Sequence, residues 1–396
     1  MTGSPGSSER LSQWRTCSGL VVTSLAIAVF GLGACTKAPE PDDVDTAVLD
    51  SVALFETLDQ IAAENGGVAF AIGLVAEGNR VYTHAYGERE IDGGEAVTNK
   101  SVFHWASVSK PFVATAIMQL HERGKLDLDA LLIDVLSGYE VSDRRLVDVT
   151  IRQLLLHTSG MPDVEDYGWD KPEYDDTALR RWVLQESPRD LLFDPGSDRQ
   201  YSNVGFEVLG LVIEQVSGLS FEEYMQRNIF KPLDMDDSTF YYPDVPEALQ
   251  TAGHEGEEQR HPVANYPYNR RHAPSSTLNT NVEDMARFVM AMLNNGELNG
   301  VRIIESSTLR DMWDPKWVMR ESPLSAASMG WVVEDFEGHR MVRHFGGDDG
   351  FRSALLIFPD DQAGLFLVTN DEAMPTRDIA RTTLNELLGG NYTGEQ

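Results

Sequence analysis

Strand-like runs stand near both ends of this chain and helical sequence fills the middle, an order that one sheet satisfies only by drawing strands from both ends. Near the start, residues 68–76 and 80–87 read as two strands joined by Glu77-Gly78-Asn79, a hairpin signal. Ahead of them Val48, Val52, Phe55, Leu58 and Ile61 fall at helical spacing, and Gly66-Gly67 ends that helix. In the last third, short β-rich runs at 329–333, 341–344, 353–358 and 364–369 are separated by turn residues, and 378–388 closes the chain as an amphipathic helix. Helical periodicity marks 150–156, 178–184, 205–216 and 221–230 in between. The expected fold class is α/β in the α+β sense: an antiparallel sheet flanked by N- and C-terminal helices, with a mostly helical insertion. A single domain is expected over 47–390, its α/β part about 47–105 and 285–390 and its helical part about 106–284. No internal repeat or low-complexity tract interrupts it.

Composition narrows the function classes. Of 396 residues, 42% are hydrophobic and 24% charged, a globular balance that argues against wholesale disorder. The formal net charge of -31 repels nucleic-acid phosphates and anionic headgroups, so no nucleic-acid partner is expected. Lysine is scarce: Lys100, Lys110 and Lys125 are the only ones between Gly66 and Gly160. A high-salt habitat, where screening tolerates self-repulsion, and a merely soluble acidic surface both fit. The two cysteines, Cys17 and Cys35, lie in the first tenth of the chain and offer no disulfide framework.

Arg10 and Arg15 precede an apolar run over 20–32 that is too short, and too glycine-rich at its end, for a membrane span, and it reads as a signal peptide. The run ends in Leu32-Gly33-Ala34-Cys35, which resembles the bacterial lipobox. That resemblance implies a lipoprotein signal peptide over 1–34 and lipidation at Cys35, the mature N-terminus. An ordinary signal peptide with an incidental cysteine is the alternative. The polar, Pro-containing stretch 35–46 suits a tether that lifts a domain off a bilayer. Because Thr36 is not aspartate, the lipoprotein sorting pattern implies the periplasmic face of the outer membrane in a Gram-negative cell. The expected localisation is export to the cell envelope with a lipid anchor at Cys35.

Ser107-Val108-Ser109-Lys110 is an S-x-x-K element opening a helix whose apolar positions Val113, Ala116, Ile117 and Leu120 mark a buried face, with Gly124 where a C-terminal cap belongs. The spacing sets the Ser107 hydroxyl and Lys110 amine on one face, a turn apart. A serine hydroxyl needs a base, and a desolvated lysine becomes one when burial lowers its pKa. Backbone N–H groups at the helix start favour a developing oxyanion. Tyr201-Ser202-Asn203 precedes the helical pattern at 205–216, and a Y-x-N element offers a phenol as proton shuttle and an amide to fix a substrate. His344-Phe345-Gly346-Gly347 ends a β-rich run; His344 and Gly346 point to one face, where the missing side chain of Gly346 is expected to make room for a substrate backbone.

In this order the three elements resemble the serine β-lactamase and penicillin-binding-protein superfamily, in particular class C β-lactamases, D,D-peptidases and related esterases, whose S-x-x-K and K-T-G pair is a known motif set. Here Y-x-N stands in place of S-D-N, and His344-Phe345-Gly346 in place of K-T-G. The stretches 124–129, 154–162 and 282–288 resemble the superfamily as well, and the resemblance runs from about Val52 to Leu388. It implies that Ser107 attacks a carbonyl and that Lys110 and Tyr201 share base and acid duties. Asn203 would orient the substrate, and the backbone N–H groups of Ser107 and Gly347 would form the oxyanion hole. The catalytic set is thus Ser107, Lys110, Tyr201 and His344, with His157 left out as structural. The partner would be a small molecule or peptide with a reactive carbonyl, and no cofactor or metal is called for.

One departure bears on substrate. A lysine at position 344 would be a permanent cation for a carboxylate, whereas His344 is mostly neutral at pH 7. Arg352 compensates only if it faces the cleft, and Arg343 is expected on the opposite face. The loop 163–195, rich in Asp, Glu, Trp and Tyr, is expected to shape the pocket. The function these features imply is acyl-enzyme hydrolysis of an ester, amide or β-lactam, with peptidase or esterase activity favoured over efficient β-lactamase activity. The alternative is a non-catalytic penicillin-binding or cell-wall sensor module on the same fold.

Overall fold

The computed structural model describes residues 49–392 apart from 94, 321, 323 and 391. The expected signal peptide and tether, with Cys35, lie outside the described residues. Helix α1 (Ser51–Glu64) starts at Asp50, whose side chain caps Ala53 N, and leads into the hairpin of β1 (Ala69–Ala76) and β2 (Arg80–Gly87). Six strands from the other end complete the sheet: β3 (Trp317–Val318), β4 (Ser325–Ser328), β5 (Trp331–Phe336), β6 (His339–Asp348), β7 (Phe351–Phe358) and β8 (Ala363–Thr369). Their order is β2-β1-β8-β7-β6-β5-β4-β3, antiparallel throughout. The first and last strands are neighbours, with Ile72 opposite Leu367, so both ends of the chain do build one sheet.

Strand β1 is buried along nearly its whole length because both faces are covered. Phe70, Ile72 and Leu74 turn to one cluster with Leu58 of α1 and with Ile379 and Leu384 of the closing helix Thr376–Leu388; Ala69, Ala71 and Val75 turn to the larger core under the helical part. In that core run α2 (Ser109–Glu122), buried from Ser109 through Leu120, and α3 (Asn203–Ser217), buried from Asn203 through Ile213. Ser202 Oγ accepts from Gly205 N to start α3, and Gly218 ends it in the left-handed region. Helix α4 (Val282–Leu293) packs on the sheet where Gly364 leaves room for Val289: a Cβ there would lie 2.6 Å from its Cγ1. The closing helix is α5.

Three local differences from the expectation have physical reasons. Strands β3 and β4, at one end of the sheet, carry no long apolar run; Ser-Ala-Ala-Ser is a strand by pairing with its neighbours, not by side-chain pattern. The helical runs after 178 and 221 close in π turns at Trp182–Glu186 and Gln226–Phe230. Ser107 sits not in α2 but in a 3₁₀ turn, Ala106–Val108, that feeds it.

Candidate active site

The turn bearing Ser107 is held from several sides. Ahead of it, Phe103–His104 pairs with Asn279–Thr280, Trp105 N donates to Leu278 O at 2.8 Å, and Trp105 Nε1 donates to Thr280 O at 2.9 Å. Ser109 Oγ donates to Ala106 O and accepts from Leu278 N, so the second serine of the motif is occupied structurally. Ala106 adopts φ 46°, a left-handed conformation that a non-glycine residue keeps only where its surroundings impose it. That kink presents the next residue, Ser107, half-buried at the edge of β6.

Lys110 is fully buried, and its Nζ donates to Ser107 Oγ at 2.9 Å and to the Ser275 carbonyl at 2.8 Å. Burial drives its pKa down to about 7, against the pull of Glu207, Asp348 and Asp163, which favour the ammonium. The Tyr201 ring lies 4.9 Å from Nζ and that of Phe206 lies 5.6 Å away. The Tyr201 phenol is pushed up by burial, while its hydrogen bond with Ser107 acts the other way. Ser107, Lys110 and Tyr201 are therefore brought together.

His344 lies on β6 with its ring 6.4 Å from that of Tyr201. Its Nδ1 is 2.8 Å from the Phe345 carbonyl, an acceptor only, so Nδ1 carries the proton and Nε2 is left with a lone pair. Burial first, then Lys110, lowers its pKa to about 3, and the ring is neutral near pH 7. Asn203 opens α3, where both its backbone N and its Nδ2 donate to Asp163 Oδ1 at 2.8 Å, leaving its buried Oδ1 without a partner. His157 stacks on Tyr201 at 4.4 Å, accepts from Ser202 N at 3.1 Å, and supports the phenol from behind.

Gly346 corrects one expectation. A Cβ there would come within 2.4 Å of Trp105 O, 2.3 Å of Ser353 Oγ and 3.1 Å of Ser107 N. The missing side chain makes room for the protein's own Ser107 turn, not for a substrate backbone, and Ser353 Oγ pins that turn by donating to Trp105 O at 2.7 Å. Gly347 follows next on the strand, opposite Arg352.

The arginines give no cleft cation on this strand pair. Arg343 is bound to Glu334 at 2.6 Å, on the face opposite His344. Arg352 reaches Glu372 at 3.1 Å and the Asp348 carbonyl at 2.8 Å, so it does not take the place of a lysine at 344. Both line, with the exposed Phe345, a cavity of about 550 Å³ that also takes in Leu384 of α5. On the His344 side stands a carboxylate instead: Asp348 accepts from His104 Nε2 at 2.8 Å. The loop 163–195 adds stacked Tyr167 and Trp169, and burial raises the Tyr167 phenol, with Asp348 and Asp163 adding to the rise. Asp163, Asp348, Glu207 and Ser275 belong to no catalytic motif; only the place of Asp163 beside Pro162, in a stretch similar to the superfamily, gave a signal. Among the described residues no three His, Cys, Asp or Glu side chains converge as a metal cradle.

A large antiparallel sheet with a helical part set into it, and a Ser–Lys pair at their junction, define the β-lactamase/transpeptidase-like fold. The Beta-lactamase family pattern matches residues 54–389, and the chain belongs to this family of serine hydrolases. It is 28% identical over 345 residues to Penicillin-binding protein 4* of Bacillus subtilis (strain 168), spanning 81% of this chain and 71% of that protein. To Penicillin-binding protein 4 of Amycolatopsis lactamdurans it is 27% identical over 356 residues, spanning 84% and 89%. Among solved structures, the octameric penicillin-binding protein homologue from Pyrococcus abyssi superposes with a TM-score of 0.76 at 24% identity, covering 86% of this chain and 78% of that one. The D-amino acid amidase from Ochrobactrum anthropi SV3 complexed with L-phenylalanine gives 0.72 at 19% identity, covering 86% and 99%.

Proposed function

We propose that this chain hydrolyses an ester or amide carbonyl through an acyl-enzyme on Ser107, in preference to turning over β-lactams. The observation that carries the reading is the 2.9 Å contact of a fully buried Lys110 Nζ with Ser107 Oγ. Burial separates the two candidate proton carriers: it brings the lysine to about 7 and drives the Tyr201 phenol up. Paired groups pushed apart in this way take opposite roles. Neutral Lys110 accepts the Ser107 proton as Oγ attacks, the oxyanion is met by the backbone N–H groups of Ser107 and Gly347, and Tyr201 passes a proton to the leaving group. Water then attacks the acyl-enzyme by the reverse route. Asn203, with its free Oδ1, orients the substrate, and neutral His344 offers Nε2 as an acceptor.

The substrate preference follows from charge. A neutral His344, a carboxylate at Asp348 on the same face, and Arg343 and Arg352 bound elsewhere leave nothing on β6 to hold the carboxylate of a penicillin. Relatives named as penicillin-binding proteins and a structural neighbour named as a D-amino acid amidase suit acyl substrates of amino-acid or peptide type. A fluorophosphonate probe followed by mass spectrometry tests the chemistry: the label is expected on Ser107 and absent from Ser107→Ala, and an unlabelled parent chain sinks the enzyme reading. A panel of acyl esters, D-amino-acid amides and β-lactams ranks the substrates, and a chromogenic cephalosporin turned over faster than every ester and amide overturns the preference. We further propose that export and lipidation at Cys35 set the protein on the envelope membrane; labelled palmitate should enter the parent chain and not Cys35→Ser.

A further inference from the structure

Lys110 makes a second hydrogen bond, to the Ser275 carbonyl, and beyond that carbonyl lie three polar side chains without solvent exposure: Ser275, His272 and Glu207. Ser275 Oγ donates to Glu207 Oε1 at 2.6 Å, and His272 Nδ1 lies 3.1 Å from the same oxygen. Arg271 Nε donates to His272 Nε2 at 2.9 Å. A guanidinium only donates, so Nε2 holds the lone pair and Nδ1 carries the proton directed at Glu207. Hydrogen bonds thus run from Arg271 through His272 and Glu207 to the Ser275 hydroxyl, and the same residue's backbone carbonyl carries the connection on to Lys110 and Ser107. Close packing keeps it in register. Glu207 stands one turn beyond Asn203 on α3, and a turn further on Gly210 admits Pro274, whose Cγ would lie 2.1 Å from a Cβ there.

Glu207 Oε2 is buried and has no partner. Burying a carboxyl with one oxygen unmet is costly, and an apolar side chain would fill the space more cheaply. What the carboxyl supplies to its surroundings is an acceptor for Ser275 and, when ionised, a negative charge that bears on the buried amine. We propose that Glu207 is the positioning residue of this site: by accepting from Ser275 Oγ it holds the Ser275 carbonyl, and through that carbonyl fixes where Lys110 points. In its ionised form its charge also bears on the pH at which the lysine gives up its proton. This rests on the reading of Lys110 as the base for Ser107.

The groups packed around the lysine enter the balance, among them Arg199, whose charge bears on Tyr201, His157 and His344. Ser107 faces it from its own segment and Glu207 from α3. Tyr201 stands just ahead of that helix, Asp163 and His157 belong to the connection before it, and His344 and Asp348 lie on β6. Glu207 is first among the anions that oppose burial there, before Asp348 and Asp163. Glu207 itself is faced by Ser275, Lys110, Asp163, His272 and Tyr167; burial pushes its carboxyl up while Ser275 and Lys110 draw it down.

Three variants of the full chain test this, read by the pH dependence of fluorophosphonate labelling. Glu207→Gln keeps the shape and an acceptor for Ser275 but loses the charge. Taking an anion away from Lys110 favours the neutral amine, so the acid limb should move to lower pH by about one unit. Glu207→Leu also removes the acceptor, and its plateau rate should fall roughly a hundredfold as the Ser275 carbonyl loses its brace. Glu207→Asp restores charge and should return the limb toward the parent. A merely structural role would lower the plateau and leave the limb in place. If Glu207→Leu fails to fold, the near-isosteric glutamine and the aspartate decide. A parent chain that labels normally and a Glu207→Gln limb that does not move overturn the proposal while leaving the hydrolase reading intact. A parent chain that never labels removes that reading, and with it the positioning role of Glu207.

Discussion

A lysine works as a base at neutral pH only where its ammonium form is held at a disadvantage, and Lys110 meets that condition by complete burial among Ser107, Tyr201 and Phe206. With its pKa brought down to about 7, the neutral amine is the minor form below that pH and the major form above it. The acylation rate should therefore rise roughly tenfold per unit on the acid side and level off on the alkaline side, with the bend near neutrality. His344, at about 3, adds no second bend between pH 5 and 9. Lys110→Arg keeps a cation but no base and should slow labelling by about 10²–10⁴-fold at every pH; a labelling rate that is flat with pH contradicts the assignment. His344→Lys places a cation on the site face of β6. It should raise the ratio of cephalosporin to ester turnover about tenfold, equivalent to ~1.4 kcal/mol. The same lysine, close to Lys110, should shift the bend to lower pH, and an unchanged ratio would show that β6 does not read the substrate carboxylate. Ser107, Lys110, Tyr201 and His344 stood out in the sequence as candidates because each is a fixed residue type at a fixed short spacing. Glu207 and Ser275 were not, because they meet only when the turn at 273–276 packs on Gly210, and nothing near them in sequence marks that contact.

At the scale of elements, the strands with apolar alternation or continuous apolar runs were legible, and so were the helices with a buried stripe. Strands β3 and β4 were not, since hydrogen bonding to its neighbours makes Ser325–Ser328 a strand without help from its side chains. The approach of β6 to the Ser107 turn was legible only as a glycine, and its direction was misread, because a glycine in sequence says that space is needed without saying whose. Gly346→Ala tests the corrected reading. Its Cβ would stand 2.4 Å from the Trp105 carbonyl and 3.1 Å from Ser107 N, far inside contact distance, so either β6 or the turn must move. A displacement on the order of 1 Å at a reacting group costs about a hundredfold in rate. The labelling rate of Gly346→Ala should fall by about that factor while the circular dichroism spectrum stays that of the parent; a parent-like rate would mean that the strand does not set the position of Ser107.

The whole molecule closes on a seam where distant parts of the chain meet. Because β1 and β8 are neighbours, the sheet holds only if the beginning and end of the domain stay in register, and Asp371 stands just past the end of β8. Its carboxylate has no solvent exposure, accepts from Val68 N at the entry to β1 and pairs with Arg260 Nε, both at 3.2 Å, and also accepts from Ala373 N. One side chain thus joins the start of the sheet, its end and a loop of the helical part. No local pattern announces it, since residues 68, 260 and 371 share neither a motif nor a spacing; the sheet built from both ends was legible, its fastening was not. Asp371→Ala would leave Arg260, itself almost wholly covered, as an unpaired buried cation and Val68 N–H without an acceptor. Breaking one side of a buried pair costs about 3–5 kcal/mol, more than a surface ion pair such as Arg227–Glu223 contributes. The urea midpoint of Asp371→Ala should fall accordingly, and Asp371→Asn, which still offers Val68 an oxygen, should lose less. The labelling rate of Ser107 at room temperature should stay at the parent value in both variants, because Asp371 is not among the charges that bear on Lys110. A midpoint unchanged in Asp371→Ala would mean that the register of β1 against β8 is secured by the buried apolar faces alone.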